Sequence, residues 1–292
     1  MSLPTISVVM GVKNAGNRIR ETVNSVLSQK GVELEFIIIN DGSTDGTEKV
    51  IQEFADKDSR VKMHSRENKG LTMSLIEGCR IAKGEFIARQ DANDISLPGR
   101  LKSQIDALNE HQEASFCSTY VRHVTKEGIE ALITAQEGII HGSVMMRKAA
   151  YRQAGGYRKQ FYYAQDIDLW SRLLEYGNHI AIPKVYYEGL LFSTSISGTK
   201  SKEQRKFLNI IKKASRARGE KKNEAIYLAK ADILSNECRN AKINPLAYSN
   251  GAYFIGSCLV EHNPSLAKQY FLEAIELNHF HLRSRLRLAR LK

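Results

Sequence analysis

Hydrophobic positions in the first hundred residues follow two rhythms. Short apolar runs at Ile6–Met10, Glu35–Ile39, Val61–His64 and Glu85–Ala88 read as strands, the first of them buried. Between them lie stretches of helical spacing. Arg18–Ser28 sets Ile19, Val23, Val26 and Leu27 on one side, and Thr47–Ala55 and Leu71–Ala82 form two further helices. Asp45, three residues before Glu48, is placed to cap the second helix. Pro98 is placed to open a fourth, through Leu101, Ile105 and Leu108. Strand and helix in alternation predict βαβ units on a mostly parallel sheet, hence an α/β fold.

In an open parallel sheet, ligands sit outside the carboxyl ends of the strands. Three polar segments fall there: Val12–Gly16, Asn40–Thr47 and Gln90–Ser96. From Ala114 to Ser197 the pattern is mixed. Strand-like pieces at Phe116–Val124, Ser143–Met146 and Val185–Tyr187 are interleaved with a helix at Ile167–Tyr176. From Thr199 the chain is helical and basic. Ala247–Cys258 and Pro264–Leu277 form a helix pair with the small-residue and aromatic spacing of a tetratricopeptide-like hairpin.

Composition narrows the class. The 292 residues are 42% hydrophobic and 26% charged, as in a soluble globular protein. No apolar run approaches the roughly 20 residues that span a bilayer. The opening MSLPTISVVM lacks a secretion pattern, so a cytoplasmic location is expected. Cys79, Cys117, Cys238 and Cys258 form no CxxC pair, which argues against zinc and disulfides. The net charge of +11 is concentrated in the C-terminal third, in KKASRARGEKK and HLRSRLRLARLK. These runs lack interleaved aromatics, which argues against nucleic acid. Arg283, Arg287 and Arg290 align at helical spacing, so the tail is either a basic helix on the inner face of an anionic membrane or a cap on the helical region. Oligomeric state leaves no signature.

Four segments carry candidate chemistry. Asp41, delivered by the second strand into NDGSTDG, can accept hydrogen bonds from a ribose or a base, or can sit in a plain turn. Asp91, Asn93 and Asp94 offer oxygen ligands for Mg²⁺ or Mn²⁺ held partly by phosphates; a polar turn with Asp94 as a cap is the alternative. Asp166 can serve as a base, while Asp168 fits the stabilising role of an acid at a helix start. Arg66–Gly70, including Asn68 and Lys69, places donors near a helix start where a phosphate can rest, and Lys13 is similar. His141, before a strand, either faces a ligand or is structural.

Taken in order, ISVVMGVKNAGNRIRETVNSVLSQ, FIIINDGSTDGT, ENKGLTMSLIEGCRIAKGEFIARQDANDIS and HGSVMMRKAAYRQAGGYRKQFYYAQDIDLWSRLLEYG resemble family 2 glycosyltransferases of GT-A fold. The resemblance spans roughly residues 4–197. It implies a transferase unit at residues 1–198, with a nucleotide-binding half at 1–98 and an acceptor half at 99–198. Residues 199–292 then form a helical extension. It implies that Gly11, Lys13 and Asn14 lie against the nucleotide, that Asp41 binds uracil or ribose, and that Asn68 and Lys69 add donor contacts. It also implies that Asp91–Asn93 is the DxD segment on ribose and divalent ion, and that Asp166 is the base of an inverting reaction. The partners implied are a nucleotide sugar, with a uridine nucleotide as donor, and a saccharide or lipid-linked saccharide acceptor of a bacterial surface glycan.

The chain departs from the family pattern at Asn93, where the last DxD acid is expected, and at Gln165, where an acid often precedes the base. These departures keep open an alternative: a non-catalytic nucleotide-sugar-binding or scaffold protein. No QxxRW and no membrane helices follow, which points to single-sugar transfer rather than processive synthesis.

Overall fold

The computed structural model describes residues 4–134, 138–241, 244 and 246–291. Residues 1–3 of the N-terminal reading and Lys292 of the basic tail lie outside them. The first half runs β1 (Ile6–Val12), α1 (Ile19–Leu27), β2 (Leu34–Asp41), α2 (Thr47–Lys57), β3 (Val61–Arg66), α3 (Leu71–Ile81) and β4 (Phe86–Arg89). These are the predicted elements, with ends moved by a residue or two. β3, β2, β1 and β4 lie side by side and parallel, with Val8 opposite Phe36 and Ala88.

Period-two alternation sends side chains to both faces of the sheet, and both are covered. Ile6, Val8 and Met10 of β1 and Phe36 and Ile38 of β2 face one core, shared with Ile19, Val23 and Val26 of α1. Val9, Ile37 and Ile39 face the other, shared with Leu75 and Cys79 of α3. Gly11 and Gly78 let α3 pack close on β1: a Cβ at Gly11 would lie 2.8 Å from the Ser74 Cβ, and one at Gly78 2.6 Å from Val9.

The second half departs from a parallel pattern. It runs β5 (Ile95–Ser96), α4 (Arg100–Glu110), β6 (Ala114–Val124), β7 (Glu130–Thr134), β8 (Val144–Arg147), α5 (Lys148–Gln153), α6 (Gln165–Leu173) and β9 (Asn178–Leu190). β8 joins β4 antiparallel, β6 joins β8 antiparallel, and β9 joins β6 parallel. β5 and β7 were not anticipated. β9 is far longer than Val185–Tyr187, and its register against β6 slips at Pro183, which cannot donate to the ladder. The fourth helix starts at Arg100, after a left-handed Gly99, and not at Pro98. Asp45 also differs from its expected part. Gly46 is the cap residue of α2, while the Asp45 carboxylate accepts the Thr47 N–H at 2.9 Å and the Gly16 N–H at 3.0 Å.

Six helices follow: α7 (Ile196–Thr199), α8 (Ser201–Gly219), α9 (Ala225–Asn240), α10 (Ala247–Leu259), α11 (Pro264–Leu277) and α12 (Leu282–Arg290). α8 and α9 pack Phe207, Ile211, Ala231 and Leu234 on Phe161 and Tyr163, just ahead of α6. α10 and α11 pair through Ile255, Ala267 and Phe271, and their core includes Leu191 and Ala131 of the sheet domain. No described helix is long and apolar enough to cross a membrane.

An ionic chain ties α6 to these helices. Asp168 is buried and accepts from Arg172 at 2.5 Å, with Arg158 at 3.7 Å. Arg158 reaches Glu224 at 2.7 Å, and Arg218 bridges Glu224 and Glu175. Removing one partner of a buried pair leaves the other charge stranded. Asp168→Ala is therefore expected to lower unfolding stability by about 3–5 kcal/mol in urea titration. A loss under about 1 kcal/mol would show that Arg172 does not depend on it.

Candidate active site

The carboxyl ends of β1, β2 and β4 and the starts of α3 and α6 meet along one edge of the sheet. The loops after β1 and β2 are laced together. The Asn14 N–H donates to Ser43 Oγ at 3.0 Å, the Thr44 N–H donates to Asn14 Oδ1 at 2.8 Å, and the Ala15 N–H donates to Thr47 Oγ1 at 2.9 Å. Asn14 adopts a left-handed φ of 52°, which asparagine tolerates. Its side chain is thus engaged within the loop pair, while Lys13 is exposed.

Asp41 is buried at the end of β2. Its carboxylate accepts the Lys69 N–H at 2.9 Å and the Gly70 N–H at 2.7 Å, and pairs with Arg66 at 2.9 Å. The backbone amides that the sequence offered to a phosphate are therefore taken by Asp41. Gly42 makes this approach possible, since a Cβ there would lie 2.9 Å from the Asn68 nitrogen at a φ of 72°. Asn68 and Lys69 keep exposed side chains. Tyr162, in the loop ahead of α6, lies over Gly70 and feels the Asp41 charge.

β4 ends on a fully buried arginine that sequence reasoning did not single out. The Arg89 guanidinium donates to the carbonyls of Val9 and Gln90, to His141 Nε2 at 3.2 Å and to Asp91 at 2.5 Å. An arginine is always a donor, so His141 Nε2 is the acceptor and the ring proton belongs on Nδ1. The Tyr157 hydroxyl lies 2.6 Å from the same nitrogen. Burial, and then the Arg89 charge, push the His141 pKa well down, so the ring is neutral. His141 braces Arg89, with the Trp170 ring packed against it at 5.7 Å.

A second buried arginine stands behind the first. Arg100 donates to the carbonyls of Arg89 and Gly142, to Gln90 Oε1 and to Ser96 Oγ, and its guanidinium lies 4.7 Å from the Tyr187 ring centre. The Tyr187 hydroxyl accepts the Asp91 N–H at 2.9 Å. Gly142 leaves room for that hydroxyl, since a Cβ would fall 2.2 Å from it. The only sequence signal for this brace was an arginine inside an apolar strand, in FIARQD. Tyr187 and Tyr157 had none, because they come from distant elements.

Three oxygen-bearing residues project from this brace. Asp91 is a third exposed. Asn93 holds a left-handed φ of 73°, and its Oδ1 is buried with no hydrogen-bond partner. Asp94 accepts the Leu190 N–H at 2.9 Å, and burial followed by the Asp91 charge pushes its carboxyl well above the usual carboxylate range. Asp166 is half-buried in the first turn of α6. Burial raises its pKa to about 6; the Asp91 charge adds to this, while the first-turn amides and Arg89 oppose it. The structure thus brings Asp91, Asn93, Asp94, Asp166, His141 and Arg89 into one neighbourhood. Asp41 lies two strands from β4, about 10 Å by strand spacing.

A hard divalent cation fits this oxygen set, on the evidence of the unpartnered Asn93 Oδ1 and the repulsion between Asp91 and Asp94. Among the described residues no three His, Cys, Asp or Glu side chains cluster as a complete metal site, so further ligands would have to come from phosphate or water.

Several known proteins are similar to this chain in sequence or in fold. A putative glycosyltransferase, EpsE of Bacillus subtilis, is 35% identical over 189 residues, which cover 60% of this chain and 68% of EpsE. Chondroitin synthase of Pasteurella multocida is 27% identical over 231 residues; these are 74% of this chain and only 24% of that much longer protein. Staphylococcus aureus TarS, solved with UDP-GlcNAc, superposes with a TM-score of 0.60 at 17% identity, covering 98% of this chain and 89% of that one. The mannosyltransferase PcManGT of Pyrobaculum calidifontis, solved with GDP-Man and Mn²⁺, gives 0.59 at 15% identity, covering 100% and 85%. At such identities the structural likeness concerns the fold, which is GT-A. The model of Glycosyl transferase family 2 matches residues 7–167, more than half of the chain, and on that ground the protein belongs to the family 2 glycosyltransferases.

Proposed function

We propose that this glycosyltransferase moves a single sugar from a uridine-diphosphate sugar to an acceptor hydroxyl with inversion, in the building of a bacterial surface glycan. The observation that carries the reading is the meeting of Asp166 with the Asp91–Asp94 cluster at one sheet edge, with Asp41 two strands away. EpsE, chondroitin synthase and TarS with UDP-GlcNAc support the glycan and the nucleotide. Residues 1–198 would form the transferase unit.

In this reading Asp41 and the loops it holds seat the nucleoside, and Arg89 fixes Asp91 toward the diphosphate. Asp91 and Asn93 would hold Mn²⁺ or Mg²⁺, with Asp94 beside them. The ion, when bound, neutralises charge on the leaving diphosphate. Asp166 takes the proton of the acceptor hydroxyl as that oxygen attacks the anomeric carbon from the face opposite the nucleotide. A base at about pKa 6 is deprotonated at neutral pH yet basic enough to accept a proton.

Asp166→Asn is expected to slow transfer at least about 100-fold while UDP still raises the melting temperature. The wild-type rate should fall on acidification, with a midpoint near 6. The raised pKa also sets the stability effect. The fold holds the Asp166 proton more tightly than the unfolded chain does, so that contribution is complete below the usual carboxylate range and is lost as pH rises through about 6. Asp166→Asn should therefore gain melting temperature relative to wild type at pH 8 and not at pH 4. Near-normal turnover of the variant would remove Asp166 from the base role.

For the cation, the melting-temperature rise with UDP should need Mn²⁺ or Mg²⁺, and Asn93→Asp should lower the metal concentration that gives half the effect. An equal UDP shift in EDTA would count against a metal at Asp91 and Asn93.

A membrane contact fits the outward face of α12. Leu282 and Leu286 are exposed there beside Arg283, Arg287 and Arg290, with Phe280 exposed in the turn just ahead of the helix, while Ser284 and Leu288 face the bundle. The chain should co-sediment with anionic vesicles, and Phe280→Ser with Leu286→Ser should abolish this. Equal sedimentation with neutral vesicles would defeat the assignment.

A further inference from the structure

A trough runs from the sheet domain out among the C-terminal helices; none of the transfer chemistry above uses it, although Phe280, Leu282 and Arg283 at its outer rim also belong to the membrane-contact face. Its inner part is a cavity of about 470 Å³. On one side stand Leu71, at the start of α3, and Tyr162. On the other stand Arg239, at the end of α9, and Tyr248, at the start of α10. Lys200 and Asn244 line this cavity and also an adjoining one of about 640 Å³, so the two are continuous. The outer part adds Lys202 and Arg205 of α8.

The lining has an unusual charge pattern. Among the described residues, Lys200, Lys202 and Arg205 form no salt bridge. Arg239 donates to the Asn236 side chain and the Lys159 carbonyl, and its guanidinium lies 5.6 Å from the Tyr162 ring centre. At the far end of α8 the pattern reverses: Arg216 meets Glu220 at 2.8 Å and Arg218 meets Glu175 at 2.7 Å. Cations in the first turn of a helix are disfavoured by its dipole, so Lys202 stands where folding alone would prefer an acid. Among the described residues, Glu203 is the one carboxylate that lines these two cavities, and Glu237 lines a neighbouring one that shares Lys200 with them.

The inner end of the trough abuts the site. Leu71 follows the Gly70 amide held by Asp41, and Tyr162 lies over Gly70 in the loop that leads to Asp166. Half-buried tyrosine rings suit the apolar faces of sugars, and unpaired cations suit anions spaced along a chain.

We propose that this trough seats an acceptor glycan bearing repeated negative charges, with sugar rings against Tyr162 and Tyr248 and its anions along Lys200, Lys202 and Arg205. The inference rests on the transferase reading above. The anions can be carboxylates or phosphodiesters, and the test separates them.

Binding of labelled oligogalacturonate, a glycerol-phosphate oligomer and a neutral malto-oligomer to the full chain is measured by fluorescence polarisation at low salt. One of the two anionic probes should bind at least about tenfold tighter than the neutral one. Lys202→Glu with Arg205→Glu should weaken that binding about tenfold, as should Tyr248→Ala. The melting-temperature shift with UDP and Mn²⁺ should stay at the wild-type value in these variants. Equal binding of the neutral probe, binding unaffected by charge reversal, or binding only of anionic vesicles or poly(U) would overturn the proposal. A missing UDP shift in the unaltered chain would instead overturn the transferase reading, and the glycan result would stand apart from it.

Discussion

A guanidinium with no solvent exposure must find partners for its charge and for its N–H groups, and Arg89 imposes that demand on everything around it. A stranded charge at that depth would cost several kcal/mol. The demand is met by two backbone carbonyls, by His141 Nε2 and by Asp91. Each partner is constrained in turn. His141 must be neutral to accept, and Asp91 is drawn to the rim of the strand end. Arg100 repeats the arrangement one layer back: Gln90, Ser96, Gln104 and the carbonyls of Arg89 and Gly142 take its donors, and the Tyr187 ring packs against its guanidinium.

Because this base is overdetermined, the segment it supports can hold conformations that would not persist alone. Asn93 sits at a left-handed φ with an unpartnered oxygen, and Asp94 is desolvated beside Asp91. Strain and like-charge repulsion of this kind survive only where the surroundings permit no relaxation. The same holds for Asp166, whose burial costs stability at neutral pH and yields a carboxylate of raised basicity. Stability given up at one cluster of acids is typical of a site shaped for binding and proton transfer.

The C-terminal helices belong to this arrangement. The chain from Asp168 through Arg158 and Glu224 to Arg218 locks α6 against α8 and α9. Much of the basic run KKASRARGEKK is spent on such pairs: Arg216, Arg218 and Lys222 all meet glutamates. Net charge therefore said little about partners until pairing separated the spent cations from the free ones that line the trough.

The sequence by itself determined the parallel half of the sheet, its helices and the acids at its strand ends, because those signals are local. A buried strand needs a short apolar run, a covering helix needs apolar residues at helical spacing, and a turn needs glycine and asparagine. Only the tertiary structure decided the rest. β9 reads weakly because Pro183 interrupts its ladder, and β5 is two residues whose pairing comes from β9. The amides of Lys69 and Gly70 looked available for a phosphate until folding brought Asp41 onto them. Arg89, Arg100, Tyr157 and Tyr187 acquire their roles from partners as much as 97 residues away. No local pattern encodes such a contact, since what selects it is the need to satisfy a buried charge in three dimensions.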